Sequence, residues 1–537
     1  MGSEQQGVSR YAVGFIAVAV VVLAYLISIY LRLDSFTGVA GAESLEATYH
    51  VLWTMRALGD TPVVAHWFLP TVTLSPFPGN DIAWGAAIPS PGGAYLYTSF
   101  PPLGFLIPHG ILAAVGAPLN PFSLALLNSF FGVIAALGMG LTARSVFNYA
   151  RHEQPPGTDG GAIWGWIIFT ASAVSYLFLR ESLHAHGATY WAHSISQIVL
   201  IFACYFTFRH FAGTATARDR WLLVSLCALF PLLEWTGYIF TFGLVAALQF
   251  RHWRQSADGP AWVKNWFMNF ALVRGLPQKI LGATGIAGLF TLAHYAVVAG
   301  VGATVLAIGG RNVARGGSTK TFDLITQLPG EYWDSVGLLL PLGLAAIILA
   351  LVQKRFVARP AIWFLLAVAG FVMVENLLIV QHAVQFSYDR AKIAVPLILG
   401  AVAFISVLSP KWRAGLLAAG IASIIASNLI LFLDQQRRYA PWIDTLSRND
   451  VIVAALRAEP GARCAVYGSP QTVRGYLNLT LDRDIYERQT EAELLGAISR
   501  GYCGAIMVDT RPIFSDLPAI HAIRIYDETG ALRKVIE

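Results

Sequence analysis

Apolar runs of about twenty residues, enough to cross ~30 Å of hydrocarbon as a helix, recur along this chain. The first, Tyr11–Leu31, follows Arg10. Others are Pro121–Val146, Ile163–Leu179, Trp191–Phe208, Ile280–Val301, Val336–Leu351, Ala361–Val380, Ala391–Leu408 and Ala414–Leu433. The string VAGA at Val39–Ala42 has the shape of a signal-peptidase site. The run before it far exceeds the usual apolar stretch of about 7–15 residues, so the pattern predicts an uncleaved anchor. The stretch Trp221–Phe250 is too long for one crossing, and its one charge is Glu234, in FPLLEWTGYIF. We read two short helices that turn at Glu234, which makes eleven spans.

Basic residues support that choice. With the N-terminus inside, sixteen Lys and Arg fall on inner loops and eight on the longer outer loops before the tail, the asymmetry expected of cytoplasmic loops. A single helix over Trp221–Phe250 would move ten of the inner set outside. Two larger pieces then face outward: a first loop over 32–120 and a tail over 434–537. LEATYHVLWTMRAL and FPPLGFLIPHGILAAVG in the loop have helical spacing and borderline length, so they read as interfacial helices. In the tail, RCAVYGS and CGAIMVDT read as buried strands, 450–458 and 490–499 as helices, and IHAIRIYDETGALRKVIE as a hairpin. The expected fold is an all-α polytopic membrane domain over 1–433 with a small C-terminal α/β domain over 434–537. Cys464 and Cys503 each start a predicted strand on the oxidising side, so they are a disulfide pair or two buried thiols.

Composition agrees with a membrane protein. Hydrophobic residues make up 56% and charged residues 13%, about half the charge that wets a soluble surface. Mean hydropathy is +0.57. The net charge of +6 reads as loop bias and not as a nucleic-acid footprint. Four cysteines without a C-x-x-C pair suggest neither a zinc nor a redox centre.

Polar groups are the costly ones in such a chain. The first loop holds Asp34, Glu43, Glu46, His50, Arg56, Asp60, His66 and Asp81. Its wording, GAESLEATYHVLWTMRALGD and later YTSFPPLGFL, resembles the first outer loop of the GT-C membrane glycosyltransferases, which include the protein O-mannosyltransferases and the lipid A aminoarabinose transferases. Their acidic D-E-x-x-Y pattern corresponds to Glu46-Ala-Thr-Tyr49, their turn to Gly59-Asp60, and their Y-x-x-x-P-P-L segment to Tyr97–Leu103. QHAVQFSYDRAKIAVPL at Gln381–Leu397 is similar to their late outer loop. The chain departs from the family in having Leu45 before Glu46, and Ser99 and Phe100 before the prolines.

The resemblance implies transfer of a sugar from a polyprenyl-phosphate donor to a glycolipid, polysaccharide or protein acceptor on the outer face of the inner (plasma) membrane. An inverting displacement needs a carboxylate for the acceptor proton and cations for the leaving phosphate. Glu46, then Glu43, then Asp34 are the expected bases, and Arg390 and Lys392 the donor-phosphate cations. His66, Trp67, Tyr97, Glu234 and Tyr388 are expected to line the sugar or acceptor cavity. Each also has a plainer reading. The two Glu can favour a helix dipole, and Arg390 and Lys392 can anchor a span. His184, His186 and His193 have H-x-H spacing but no evident acidic partner set, so no metal site is expected among them. No Gly-rich Rossmann loop favours a nucleotide sugar, and no cofactor is called for. The competing class is a lipid or solute transporter or flippase without covalent chemistry.

Overall fold

The computed structural model describes residues 2–37, 42–74, 87–151, 161–255, 275–316, 321–352 and 360–439. In the tail it describes the segments 466–468, 474–482, 484–487, 504–509, 520–526 and 531–536, with scattered residues from 449 to 496. Among these, seven helices are long and apolar enough to cross a membrane, or up to nine if each bent pair counts as one span. The chain is a multi-pass membrane protein.

The apolar runs divide by burial. In the first span 22% of the central window is buried, against 78% in Ser387–Val407. Phe15, Ile16, Leu23 and Leu26 stay exposed on the first span, as Ile286, Leu289, Phe290 and Val297 do on the helix Leu276–Ala299. These faces suit lipid, where an exposed apolar side chain carries no penalty. Pro121–Arg151 forms the centre, packed on Gly161–Leu177, His193–Phe211 and Ala394–Val407.

Nearly every break in these helices falls in one layer. The first span ends in a 3-10 turn, Leu33–Thr37. Gly161–Leu177 bends by 65° into 180–188, which closes as a π turn over His184–Ala188. Ala217–Leu233 and Gly237–Gln255 are separated at Glu234, whose backbone is extended. The sequence placed this turn correctly. The chain reverses so tightly there that a Cβ on Gly237 would lie 2.5 Å from Pro231 N. Met373–Leu378 and Val380–Gln385 are short and lead into a 3-10 turn, Ser387–Ile393. Backbone freed from helical bonding at membrane depth survives only where protein surrounds it, so these breaks cluster together.

Two features differ from the sequence reading. Val301–Gly316 and Thr321–Val336 are helices where a loop was expected, and the second turns through 105° into Leu339–Val352. Their charges at one face hid the pattern in a reading tuned to uniform apolar runs. In the first loop, the helix Ala42–Asp60 is not laid on the surface: residues 47–55 are buried on every side. It is enclosed by Leu103–Ala114, by the bundle, and by a helix from the tail.

That tail helix is Arg474–Leu481. It accompanies a five-stranded sheet of β3 (Val466–Gly468), β4 (Ile485–Glu487), β5 (Gly504–Asp509), β6 (Ile520–Tyr526) and β7 (Leu532–Ile536), in the order β4-β3-β5-β6-β7. In the first loop β1 (Ala87–Pro89) pairs antiparallel with β2 (Tyr95–Tyr97). β3 runs parallel to β4 and β5, and β5, β6 and β7 are antiparallel. Both expected strands and the hairpin are present. Cys464 and Cys503 lie outside the described residues, as do most of 450–458 and 490–499.

The tail docks on the first loop at a glycine. A Cβ at Gly475 would sit 2.9 Å from the carbonyl carbon of Tyr49, so only glycine admits the approach. Tyr476 meets Tyr49 edge-on at 5.2 Å, and Asp484 accepts a 2.9 Å bond from the Leu74 amide. Gly475→Leu should therefore separate the two, at the ~1–3 kcal/mol of an overpacked contact. Limited proteolysis of the full chain should then cut the tail faster than in the wild type; equal rates would contradict this docking.

Candidate functional site

The layer of broken helices holds a connected polar network centred on Lys392. Its ammonium donates to Glu234, to both Glu375 oxygens at 2.8 and 2.7 Å, and to Thr236 Oγ1 at 3.3 Å. Glu234 also accepts from the Ser196 and Thr236 hydroxyls and pairs with His193 Nε2 at 3.2 Å. His193 Nε2 contacts Asp389 as well, whose other oxygen meets His382 Nδ1. Glu234, Glu375, Asp389, Lys392 and His193 are all buried. A buried charge is tolerated when it is paired and hydrogen-bonded, and here three carboxylates face one ammonium and two imidazoles.

Local structure explains the convergence. A 3-10 helix stacks residues three apart, so Asp389 and Lys392 share one face of the turn Ser387–Ile393. Glu234 enters from the break between two helices, Glu375 from Met373–Leu378, and His193 from the first residue of its helix. Each group sits where a helix starts, stops or turns.

His193, Glu234, Glu375 and Asp389 offer ligand atoms within 4.8 Å of one another, a set of the type that holds a divalent ion. Lys392 Nζ already bonds two of those carboxylates. The donors present therefore suit an internal ammonium, and a metal would have to displace it.

A second tier surrounds this centre. Arg390 donates to Ser335 Oγ at 2.9 Å, to the Ala383 and Val384 carbonyls, and pairs with Glu331 at 3.0 Å. Glu181 pairs with Arg180 and accepts from Ser387 Oγ, both at 2.9 Å. An aromatic wall joins the network to the first loop. Tyr388 lies against His193 at 4.9 Å and stacks on Trp191 at 6.2 Å. Phe100 meets Trp191 and His193 at 5.1 and 5.3 Å, and His50 meets Tyr97 at 4.4 Å.

The expected site residues thus separate. Glu234, Tyr388, Lys392 and, through the aromatic wall, Tyr97 come together. Arg390 lies beside them with a carboxylate of its own. His66 and Trp67 do not join them. His66 Nδ1 accepts from the Phe68 amide at 3.1 Å and Nε2 meets the Thr61 carbonyl at 3.2 Å. Burial lowers its pKa, which favours the neutral ring that accepts this amide. Trp67 is exposed in a left-handed conformation, its carbonyl bonded to His294 at 2.7 Å. Asp34 is exposed in the turn after the first span. Glu43 and Glu46 lie in the first turns of the helix Ala42–Asp60, with side chains outside the described residues.

Sequence reasoning did not single out Asp389 or His382. Asp389 and Lys392 were visible at 3-10 spacing. Nothing in the sequence marked His193 as their partner, because its acids lie 41 and 196 residues away.

No protein-family model matches the chain, and no curated protein matches it by sequence. Solved structures do match in fold. The chain resembles the Archaeoglobus fulgidus oligosaccharyltransferase, determined with Zn and sulfate, at a TM-score of 0.50 and 15% identity over 91% of this chain and 68% of that one. ArnT from Cupriavidus metallidurans, bound to undecaprenyl phosphate, matches at 0.51 and 14% over 92% of each chain. This chain has the GT-C fold. Within that GT-C framework the Lys392 centre ties together five separate elements. Lys392→Met should strand two carboxylates and destabilise the folded chain by about 3–5 kcal/mol. Adding Glu375→Gln should recover part of that loss. Thermal unfolding of the purified full chain in detergent measures both, and an unchanged melting temperature for Lys392→Met would contradict the pairing.

Proposed function

We propose that the chain is a glycosyltransferase that moves a sugar from a polyprenyl-phosphate donor to an acceptor hydroxyl on the outer face of the membrane. The observation that supports this most is the correspondence, over 92% of both chains, with a structure holding undecaprenyl phosphate. The network at one end of the helices adds the ionisable groups that such chemistry requires.

The reaction is a single displacement with inversion. The acceptor oxygen forms a bond to the anomeric carbon as the bond from that carbon to the phosphate oxygen breaks. A first-loop carboxylate, Glu46, Glu43 or Asp34, takes the acceptor proton. The electron pair leaves with the phosphate, which stays on its isoprenoid chain. Arg390 and Lys392 are the cations offered to the headgroup phosphate in this reading. Arg390 is the more available: its partner Glu331 is 31% exposed, whereas both carboxylates on Lys392 are 2% exposed. A phosphate competes more easily with a solvated partner than with a buried one.

In this reading the protein has eleven spans, a cytoplasmic N-terminus and an outward tail over 434–537, in the inner or plasma membrane. The acceptor is a glycolipid, a polysaccharide or a protein. A transporter or flippase is the second reading, favoured by the buried ionisable centre at broken helices.

Purified protein incubated with a radiolabelled polyprenyl-phosphate sugar and membrane acceptor fractions should give labelled acceptor. Of Glu46→Gln, Glu43→Gln and Asp34→Asn, the variant that removes the base should lose about 10²–10⁴-fold in rate. Wild-type rates in all three would overturn the base assignment. Lipid flux in proteoliposomes without labelled acceptor would favour the transporter.

A further inference from the structure

Arg32, the last residue of the first helical span, is 2% exposed. Arg180, Arg390 and Lys392 each have a carboxylate partner. Arg32 has only carbonyls: Nη1 reaches those of Ser182 and Leu183, both at a long 3.3 Å. Among the described residues its Nε and Nη2 have no partner. A buried guanidinium with donors to spare and no counter-charge is costly unless something anionic joins it.

Its surroundings are built to hold it there. The guanidinium lies against the π turn His184–Ala188, where a Cβ at Gly187 would come within 2.6 Å of Nη1. Asn128 locks that turn, donating to the carbonyls of Ala185, Gly187 and Thr189 at 3.0, 3.4 and 2.9 Å. Among the described residues two more buried side-chain nitrogens lack a partner, one on that π turn and one on a side chain bonded to the turn after the span. His186 meets the Tyr176 hydroxyl through Nε2 at 3.0 Å, leaving Nδ1 without a partner. Gln436 accepts from Ser35, one turn beyond Arg32, and its Nε2 is unpartnered. Tyr30, Leu31 and Leu33, the chain neighbours of Arg32, are exposed on a lipid-facing helix. π turns inside helices frequently mark functional sites.

We propose that Arg32, with His186 and Gln436, binds a phosphate monoester anion at the end of the first span. That the phosphate belongs to a prenyl lipid rests on the function proposed above. The site completes what Arg390 and Lys392 supply only by giving up a carboxylate. It also puts the cation two residues before Asp34, where the first helix passes into the turn Leu33–Thr37.

The test is ligand-dependent thermal unfolding of the full chain in detergent, with undecaprenyl phosphate and, separately, inorganic phosphate. Undecaprenyl phosphate should raise the wild-type melting temperature by at least ~3 °C at saturation. Arg32→Gln should abolish that rise while leaving the ligand-free protein as stable as the wild type or more so, because an uncompensated charge has been removed. Gly187→Ala, which pushes the guanidinium aside without removing it, should weaken lipid binding at least tenfold. A rise with the lipid alone, or with both probes, supports the site; the former assigns it to a lipid headgroup and the latter to phosphate in general. An equal rise in wild type and Arg32→Gln overturns it, as does a wild type that neither probe stabilises. A chain that binds the lipid through Arg32 yet transfers no sugar would leave this site standing and remove the proposed reaction.

Discussion

The fold is organised around a single buried cation. Lys392 bonds two carboxylates, one at a helix break and one on a short helix, and through Glu234 and Asp389 the network extends to His193 and His382. In a membrane protein the hydrophobic effect drives helices out of water but does little to choose their partners in lipid. Paired charges that cannot be left alone supply that choice. Here they fix where helices stop: at 234, at 378–393 and at the start of the helix His193–Phe211. The helix breaks and the charge pairs are therefore one feature.

The same layer joins the first loop to the membrane bundle. Phe100 and Tyr97 reach His193 and Tyr388 through Trp191 and His50. From the other side, Gly475 and Tyr476 of the tail press on Tyr49 of the helix that begins with Glu43 and Glu46. That helix is therefore held between bundle and tail and positioned by both.

Much of this was legible in the sequence, for specific reasons. The multi-pass character was visible because soluble folds rarely contain apolar runs of membrane length, and the turn at Glu234 because a lone carboxylate interrupts an overlong run. β3 and β5 followed from the strings RCAVYGS and CGAIMVDT, and the β6–β7 hairpin from strand-type residues around ETG. The centre of the site was harder to see. Lys392 and Arg390 stood out as cations, but their internal partners come from elements far along the chain, and one sequence carries no record of such distant pairs. Arg32, one of the eight outer-loop cations, carried no sign of its burial, because a basic residue at the end of a span is an ordinary context for one. The amphipathic helices 301–316 and 321–336 escaped because their charges fell outside a search for uniform apolar length.

The central claim is that this polar layer faces a lipid-linked phosphate on the outer side of the membrane. The most direct measurement is a structure of the full chain with undecaprenyl phosphate in a lipid nanodisc. The account predicts the phosphate at the layer formed by 32–37, 180–188 and 387–393, with the isoprenoid chain running down the lipid-facing helices. A headgroup at the opposite ends of those helices, beside Arg144, Arg251 and Arg413, would contradict it.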